Sequence, residues 1–178
     1  MKAVLDGVGL KRVHMVGMAF GAWLVMKFGA LYPQNLNRAV LINSSGIVGI
    51  RLMYLLPLIP KILFMTDERA RELARHMLAP PDVNIDDATA EFLYLVLKHF
   101  KSTNEAPPLS DAQLSAFQAK TLLLVSEFED VFDVGKLIAR TESKMANVTT
   151  EIIPRAPHAI SLTHADEVNQ RIVEFITR

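Results

Sequence analysis

RVHMVGMAFGAWLVMKFGALYP, residues 12–33, contains the patterns from which the fold of this 178-residue chain is predicted. Its first part is a short apolar run of strand length, and a helical apolar pattern then continues from Ala22 until Pro33. Gly17 and Gly21 flank the junction between the two patterns. We expect glycine at both positions because the strand and helix backbones approach each other too closely for a side chain. The stretch therefore predicts a strand, a tight turn and a helix.

Three further apolar runs have strand length, at residues 39–43, 121–125 and 149–153. The first two are continuously apolar, as in buried parallel strands, whereas the third alternates, as at the edge of a sheet. Strands that alternate with helices predict an α/β fold with about four parallel strands and helices on both faces. Helices are predicted at residues 22–32, 67–78, 86–100 and 134–145, and residues 2–10 are interpreted as the end of a further helix. A capping box formed by Ser110 and Gln113 predicts a short helix, and a cap formed by Thr163 and Asp166 predicts the last one.

One long segment interrupts the alternation and predicts a helical cap. It divides the chain into an α/β part at residues 1–46, the cap insertion at 47–118 and a second α/β part at 119–178. Residues 47–65 are almost wholly apolar, but two prolines and two basic residues interrupt them. We therefore expect a broken, amphipathic cover over an apolar pocket rather than a membrane span.

Composition excludes several classes of function. The 19 basic residues balance 19 acidic ones, and without basic clusters we expect no binding to nucleic acid, which is held through its phosphates. The absence of cysteine excludes disulfides, thiolate catalysis and cysteine-ligated metals. His76 and His99 lack partners at zinc-site spacing, so we predict neither a metal nor a cofactor. The first ten residues do not form a secretory signal, and the cytoplasm is the expected location.

Three segments carry recognisable patterns in one chain order. Gly17-Met18-Ala19-Phe20-Gly21 reads G-x-A-x-G, residues 121–133 read TLLLVSEFEDVFD, and residues 151–158 read EIIPRAPH before a closing helix. They resemble, in this order, the nucleophile elbow G-x-S-x-G, the acid strand and the histidine loop of esterase-like serine hydrolases of the α/β-hydrolase family. The resemblance covers nearly the whole chain. It implies a partial α/β-hydrolase fold of about four parallel strands with a helical cap insertion.

The resemblance also implies roles for individual residues. Ala19 stands at the nucleophile position, and its methyl group cannot form an acyl-enzyme. His158 corresponds to the general base, and Phe20 supplies one amide of the oxyanion hole. The pattern favours Glu129 as the acid that orients the histidine. Two aspartates are close enough to compete for this role, Asp130 and Asp133, of which the second is at least as well suited to capping a helix.

Apolar residues next to the elbow and in the cap are candidates for an acyl-binding pocket: Met18, Met53, Tyr54, Leu58 and Phe64. The alternative interpretation is that such residues simply form the core of the cap. In the family, further strands and the second oxyanion amide come from an N-terminal half that has no counterpart in this sequence. The resemblance therefore predicts the C-terminal half and cap of a hydrolase.

Two functional hypotheses remain open. The first is a serine hydrolase of the carboxylic-ester type, acting on small apolar acyl or ester ligands but without turnover in this form, because Ala19 replaces the nucleophile. The second is a non-catalytic binding or assembly module derived from such an enzyme. In a whole hydrolase of this family the strand at residues 13–18 would have neighbours on both sides, so the resemblance implies that one side has lost its partner. An unpaired apolar edge is a template for pairing with another chain. We therefore expect a homo-oligomer or a complementary chain along that edge.

Overall fold

The structure is a computed structural model that describes residues 1–56, 66–78, 86–99 and 106–178. Its strands are β1 (Val13–Met18), β2 (Leu36–Ile42), β3 (Lys120–Phe128) and β4 (Val148–Pro157). The helices within these ranges are α1 (Lys2–Gly7), α2 (Phe20–Leu31), α3 (Leu52–Leu55), α4 (Asp67–Leu78), α5 (Asp87–His99), α6 (Asp111–Ser115), α7 (Val134–Lys144), α8 (Ile160–Thr163) and α9 (Ala165–Thr177).

The four strands form one parallel sheet in the order β1-β2-β3-β4. The predicted fold class, a parallel sheet flanked by helices, is thereby confirmed, with the alternating strand β4 at an edge as expected. In register, Val16 lies opposite Val40, and Val40 lies opposite Leu122. The last strand is longer than predicted: it continues to Pro157 instead of ending at residue 153, and so carries the chain directly to His158.

Apolar side chains alternate between the two faces of the sheet, and each face has its own core. On one face, Ala39 and Leu41 of β2 pack with buried residues of α2 and α7. On the other face, Val40 and Ile42 pack with α8 and α9. This alternation follows from the two-residue period of a strand, and burial on both faces is typical of parallel sheets.

The predicted cap region contains a pair of helices that pack on each other. Arg71 of α4 binds Glu91 of α5 (Nε to Oε2, 3.1 Å), and its guanidinium lies 4.0 Å from the centre of the buried Tyr94 ring. The segments that flank the pair contribute Ile47 and Leu109 to the larger of the two cores, on the face of the sheet covered by α2 and α7, which is the main core. None of the described helices is both long enough and apolar enough to cross a membrane. The boundaries of the cap stay a prediction.

Two of the predicted helix starts can be compared with the structure. The Ser110–Gln113 capping box is confirmed: Gln113 N donates to Ser110 Oγ (3.2 Å), and Ser110 N donates to Gln113 Oε1 (3.0 Å). The Thr163–Asp166 cap is wrong, because helix α8 occupies the preceding turn and Thr163 Oγ1 donates back to Ala159 O (3.4 Å). Helix α9 instead begins after His164 without a side-chain cap.

Candidate active site

A sharp corner at Ala19 joins β1 to α2. Ala19 has φ 47° and ψ −116°, a positive-φ conformation that residues other than glycine rarely adopt. Its amide donates to Ile42 O (2.9 Å), and its carbonyl accepts from Ala22 N (3.1 Å) and Ser45 N (3.3 Å). Strain of this kind persists only where the surrounding structure holds it, and it is concentrated at functional sites. The methyl group of Ala19 is therefore presented at an enforced turn between strand and helix, as the elbow pattern predicts.

Only one of the two glycines in the elbow pattern is required by close backbone contact. A Cβ on Gly17 would lie 2.5 Å from both the carbonyl carbon and the oxygen of Gly21, and 2.6 Å from Ala22 N. A Cβ on Gly21 would meet nothing within 4 Å. The expectation that both positions exclude a side chain is thus wrong for Gly21, because its own Cβ direction faces open space while its backbone is the part that approaches the strand.

The imidazole of His158 is paired with the carboxylate of Glu129. His158 Nδ1 lies 2.6 Å from Glu129 Oε2, and the glutamate side chain is fully buried. The other oxygen, Oε1, accepts from the amides of Val131 (2.8 Å) and Phe132 (3.4 Å), which turn the loop after β3 back over the carboxylate. A carboxylate that holds Nδ1 fixes the orientation of the ring and stabilises a positive charge on it.

The second ring nitrogen of His158, Nε2, has no hydrogen-bond partner among the residues that the structure describes. The His158 side chain is 17% exposed, so solvent or a ligand can reach it. An imidazole oriented through Nδ1, with Nε2 available, is the arrangement that a general base requires.

The two aspartates that compete with Glu129 in the sequence lie elsewhere. Asp130 is exposed, and no contact within the described ranges joins it to His158. Asp133 caps α7 by accepting from Lys136 N (3.0 Å), and this hydrogen bond is the main cause that lowers the pKa of the Asp133 carboxyl. Of the three carboxylates, the structure brings Glu129 to the imidazole.

Two polar residues that sequence reasoning missed connect the carboxyl ends of neighbouring strands, which together form the carboxyl edge of the sheet. Asn43 follows β2, Ser126 lies in β3, and both are fully buried. Asn43 Nδ2 donates to Ser126 Oγ (2.7 Å) and to His158 O (2.7 Å), while Ser126 Oγ donates to Pro157 O (2.7 Å). The signal that could have found them is a single polar residue at the carboxyl end of each of two apolar runs predicted to be buried parallel strands.

These contacts place the Ala19 corner and the His158 loop at the same edge of the sheet. The carbonyl that receives the Ala19 amide belongs to Ile42, the residue before Asn43. On the other side of the corner, Met18 Sδ accepts from Ser161 Oγ (3.1 Å), three residues beyond His158. Adjacent parallel strands end at one edge, which is where ligands bind in open α/β sheets.

The predicted pocket residues have different environments. Met18 is partly buried against the core that contains Val40 and Ile42, Met53 is 72% exposed, and Leu58 and Phe64 lie outside the described residues. Phe20, which is predicted to supply an oxyanion amide rather than to line the pocket, is exposed and stacks on Trp23 with ring centres 5.4 Å apart. Tyr54 is half-buried against the main core. Burial, followed by the negative charges of Asp130 and Glu129, raises the pKa of the Tyr54 phenol. Tyr54 is therefore close enough to sense the carboxylate of the histidine pair.

Other candidate ligand sites are remote from this edge. A cavity of ≈ 550 Å³ lies at the opposite, amino edge of the sheet, between Arg12, Arg38 and Lys120, and its lining includes none of the candidate site residues. In the part of the chain that the structure describes, no group of three or more histidine and carboxylate side chains is placed to hold a metal ion.

Sequence comparison finds carboxylesterases and related hydrolases, although no family model matches the chain. Carboxylesterase YbfK of Bacillus subtilis (strain 168) is 24% identical in an alignment 194 residues long, gaps included, that covers 99% of this chain and 61% of the relative. The 2-hydroxy-6-oxo-6-phenylhexa-2,4-dienoate hydrolase of Burkholderia cepacia is 25% identical in an alignment 202 residues long, gaps included, that covers 99% of this chain and 66% of the relative. The chain thus spans about three-fifths to two-thirds of the length of these relatives.

Structural comparison gives the same group of proteins. The crystal structure of carboxylesterase CesB (YbfK) from Bacillus subtilis superposes with a TM-score of 0.84 at 19% identity, over 99% of this chain and 64% of that one. A serine-to-alanine mutant of the meta-cleavage product hydrolase from Pseudomonas fluorescens IP01, complexed with acetates, superposes with a TM-score of 0.77 at 19% identity, over 98% of this chain and 68% of that one. The chain therefore has the α/β-hydrolase fold, on which many different activities are built.

Proposed function

We propose that this chain carries the site of a serine hydrolase of the carboxylic-ester type, with Ala19 at the nucleophile position and no hydrolytic turnover as the sequence stands. The observation that carries the proposal is the pairing of the buried Glu129 carboxylate with the partly exposed His158 imidazole, whose Nδ1 to Oε2 distance is 2.6 Å, at the sheet edge where the strained Ala19 corner lies. In an ordinary turn, glycine would adopt this positive-φ backbone with less conformational strain than alanine. The presence of alanine at this corner therefore favours a position at which the family has a side chain.

Each residue has a defined part in this proposal. His158 accepts a proton at Nε2, and Glu129 holds the ring through Nδ1 and stabilises the imidazolium that results. The amide of Phe20, at the start of α2, faces the developing negative charge on a carbonyl oxygen. Ala19 presents a methyl group where a hydroxyl would attack, so an ester binds without forming an acyl-enzyme.

A hydroxyl introduced at position 19 would complete the reaction cycle. The hydroxyl oxygen attacks the ester carbonyl, its proton passes to His158 Nε2, and the same proton leaves with the alcohol as the acyl-enzyme forms. Water then attacks the acyl group with His158 again as the base, which releases the carboxylic acid and restores the hydroxyl.

The ligand class follows from the surroundings of the corner and from the relatives. Phe20, Leu52, Met53 and Leu162 expose large apolar side chains on or beside the segments that form this edge. The names of the relatives describe hydrolysis of carboxylic esters and of an oxo-phenylhexadienoate. Small apolar acyl or ester molecules are the ligands that we propose.

The test is an assay with p-nitrophenyl acyl esters on the parent chain and on Ala19→Ser. We expect no release of p-nitrophenol above background from the parent and measurable release from Ala19→Ser. The release should be lost in Ala19→Ser combined with Glu129→Gln, and retained with Asp130→Asn as the matched control, because Asp130 is an exposed neighbour. Equal background rates in the parent and Ala19→Ser contradict the proposal and favour the second candidate.

The second candidate is a binding or assembly module that associates through β1. Val16 in β1 is 48% exposed, although its register partner Val40 is fully buried. Strand β1 contains neither proline nor a Lys, Arg, Asp or Glu side chain, whereas the other edge strand, β4, contains Glu151, Pro154 and Arg155. Natural proteins protect edges with such residues, so the unprotected edge favours pairing with a second copy or with a complementary chain.

Light scattering after size exclusion tests this association. We expect the parent to be oligomeric at micromolar concentration and Val16→Lys to shift it toward monomer, because a charge at the edge opposes pairing. Ile152→Lys is the matched control, since Ile152 has a similar exposed fraction, 49%, on the opposite edge strand. A parent that stays monomeric rules out self-association through β1.

A further inference from the structure

Asn43 occupies an unusual position at the end of β2. It is fully buried and has φ 41°, in the left-handed region. Asparagine is one of the few residues other than glycine that adopts this conformation at low cost. Its own amide continues the sheet by donating to Leu124 O (3.0 Å). The backbone of Asn43 therefore turns while it is still bound to β3.

The carboxamide of Asn43 uses its oxygen and both of its amide hydrogens. Oδ1 accepts from Ser126 N (2.9 Å), and Nδ2 donates to Ser126 Oγ (2.7 Å) and to His158 O (2.7 Å). The orientation of the amide is unambiguous, because an N–H group must face Oδ1 and a carbonyl oxygen must face Nδ2. Ser126 Oγ in turn donates to Pro157 O (2.7 Å). Two consecutive carbonyls of the histidine loop are thus tied to the ends of β2 and β3.

We infer that Asn43 is a positioning residue, which holds the backbone of His158 so that its imidazole stays on Glu129 and faces the Ala19 corner. The ring of His158 is fixed at Nδ1 by the carboxylate, and its main chain is fixed on the other side by Asn43. Two separate attachments determine both the place of the residue and the direction of its ring. The inference deepens the function proposed above and rests on His158 acting as the base of that site.

Two substitutions at this position remove different parts of the hydrogen bonding. In Asn43→Asp the carboxylate still accepts from Ser126 N, but it cannot donate to His158 O or to Ser126 Oγ. Asn43→Gly keeps the left-handed backbone without strain and removes all three side-chain hydrogen bonds. The two variants therefore separate the loss of the donor from the loss of the whole side chain. Ser44→Ala is a matched control, because Ser44 is an equally buried neighbour whose hydroxyl donates to Ser45 O (3.0 Å) and makes no hydrogen bond to the histidine loop among the described residues.

The first readout needs no catalysis. NMR of the His158 ring, in variants shown by circular dichroism to be folded, reports the proton shared between Nδ1 and Glu129. We expect this signal in the parent and in Ser44→Ala, and its loss in both Asn43→Asp and Asn43→Gly. Retention of the signal at the parent chemical shift in folded Asn43→Gly overturns the inference. If Asn43→Gly does not fold, the result in Asn43→Asp decides in the same way.

The second readout is kinetic and uses the Ala19→Ser background. A displaced base costs rate in the chemical step, so we expect Asn43→Asp to lower kcat on the order of 100-fold with KM nearly unchanged. An unchanged kcat overturns the inference while leaving the proposed hydrolase function intact. If Ala19→Ser itself has no activity, the proposed function fails, and the NMR result alone decides whether Asn43 positions His158.

Discussion

The tight corner before α2 can be tested by adding one methyl group to Gly17. In Gly17→Ala the new Cβ would lie 2.5 Å from the carbonyl carbon of Gly21 and 2.6 Å from Ala22 N. These are backbone atoms of a helix, so they cannot rotate away as the end of a flexible side chain could. Relief requires α2 to move away from β1, although α2 contributes Ala22, Val25 and other buried residues to the main core.

The expected cost follows from this geometry. Overpacking in a well-packed interior costs about 1–3 kcal/mol, and contact with a fixed backbone belongs at the upper end, so we expect Gly17→Ala to lower the free energy of unfolding by about 3 kcal/mol. The matched variant Gly21→Ala adds a methyl group that meets nothing within 4 Å. Because Gly21 is helical, this variant should raise stability by about 0.5 kcal/mol through helix propensity. The same substitution should thus have opposite signs at these two nearby positions.

Urea unfolding, followed by circular dichroism and by the fluorescence of the single tryptophan, Trp23, measures both changes. Trp23 lies in the first turn of α2, so its emission reports the region that Gly17→Ala displaces. With the urea dependence usual for small proteins, a loss of about 3 kcal/mol lowers the midpoint by on the order of 1 M or more. Equal midpoints for Gly17→Ala and Gly21→Ala would refute the close approach of strand and helix, and with it the elbow geometry.

Three further predictions concern the corner, the acid and the neighbouring phenol. Ala19→Gly should raise the free energy of unfolding by about 1 kcal/mol in the same urea experiment. The reason is that relief of the strain of a positive φ outweighs the greater backbone entropy of glycine in the unfolded chain. A lower stability of Ala19→Gly would contradict backbone strain at Ala19. Glu129→Gln should lower the free energy of unfolding by about 2 kcal/mol, because the hydrogen bond from the buried Glu129 carboxylate to His158 is weakened. Asp130→Asn, at an exposed site, should stay within about 0.5 kcal/mol of the parent. Equal effects of the two substitutions would contradict the pairing of Glu129 with His158. Because the pKa of Tyr54 is raised in the folded state, the unfolded state releases the phenolic proton first as pH rises above about 10. Stability should therefore fall with pH in that range, and Tyr54→Phe, measured by urea unfolding at several pH values, should show a smaller fall; an equal fall in both proteins would assign the titration to other groups.

The sequence was sufficient for the elements that are determined by local pattern. A continuous apolar run, a pair of glycines and a helical period are all visible in residues 12–33, and the structure places β1, the corner and α2 there. Even so, the pattern could not distinguish the two glycines. Glycine is required at position 17 because a Cβ there would collide with the backbone of Gly21. Whether this collision occurs depends on the path of the helix after the turn, which the sequence pattern does not specify.

The acid could not be chosen from the sequence alone because three carboxylates lie close together in residues 129–133. Their order along the chain says nothing about which one turns inward. In the structure, the amides of Val131 and Phe132 bind Glu129 Oε1, which turns this carboxylate toward the sheet and leaves Asp130 at the surface. The selection is therefore made by backbone hydrogen bonds of the loop, which appear only in three dimensions.

Contacts between distant segments were the hardest to predict. Asn43 looks like an ordinary turn residue after a strand, yet its side chain binds Ser126 and His158, which are 83 and 115 residues away. The cap predicted for the last helix failed for a related reason. Thr163 and Asp166 have the right spacing, but α8 precedes them and uses Thr163 in its own final turn.

The proposed site requires the methyl group of Ala19 and the ring of His158 to be neighbours in solution. A nuclear Overhauser effect between the Ala19 methyl protons and a His158 ring proton, in chain labelled at alanine methyl groups, measures this proximity without any substitution or substrate. We predict a cross-peak between the two, together with a hydrogen-bonded Nδ1 proton on His158. A His158 ring that keeps its bond to Glu129 but shows no cross-peak to Ala19 would contradict the convergence of corner, base and acid at one edge of the sheet.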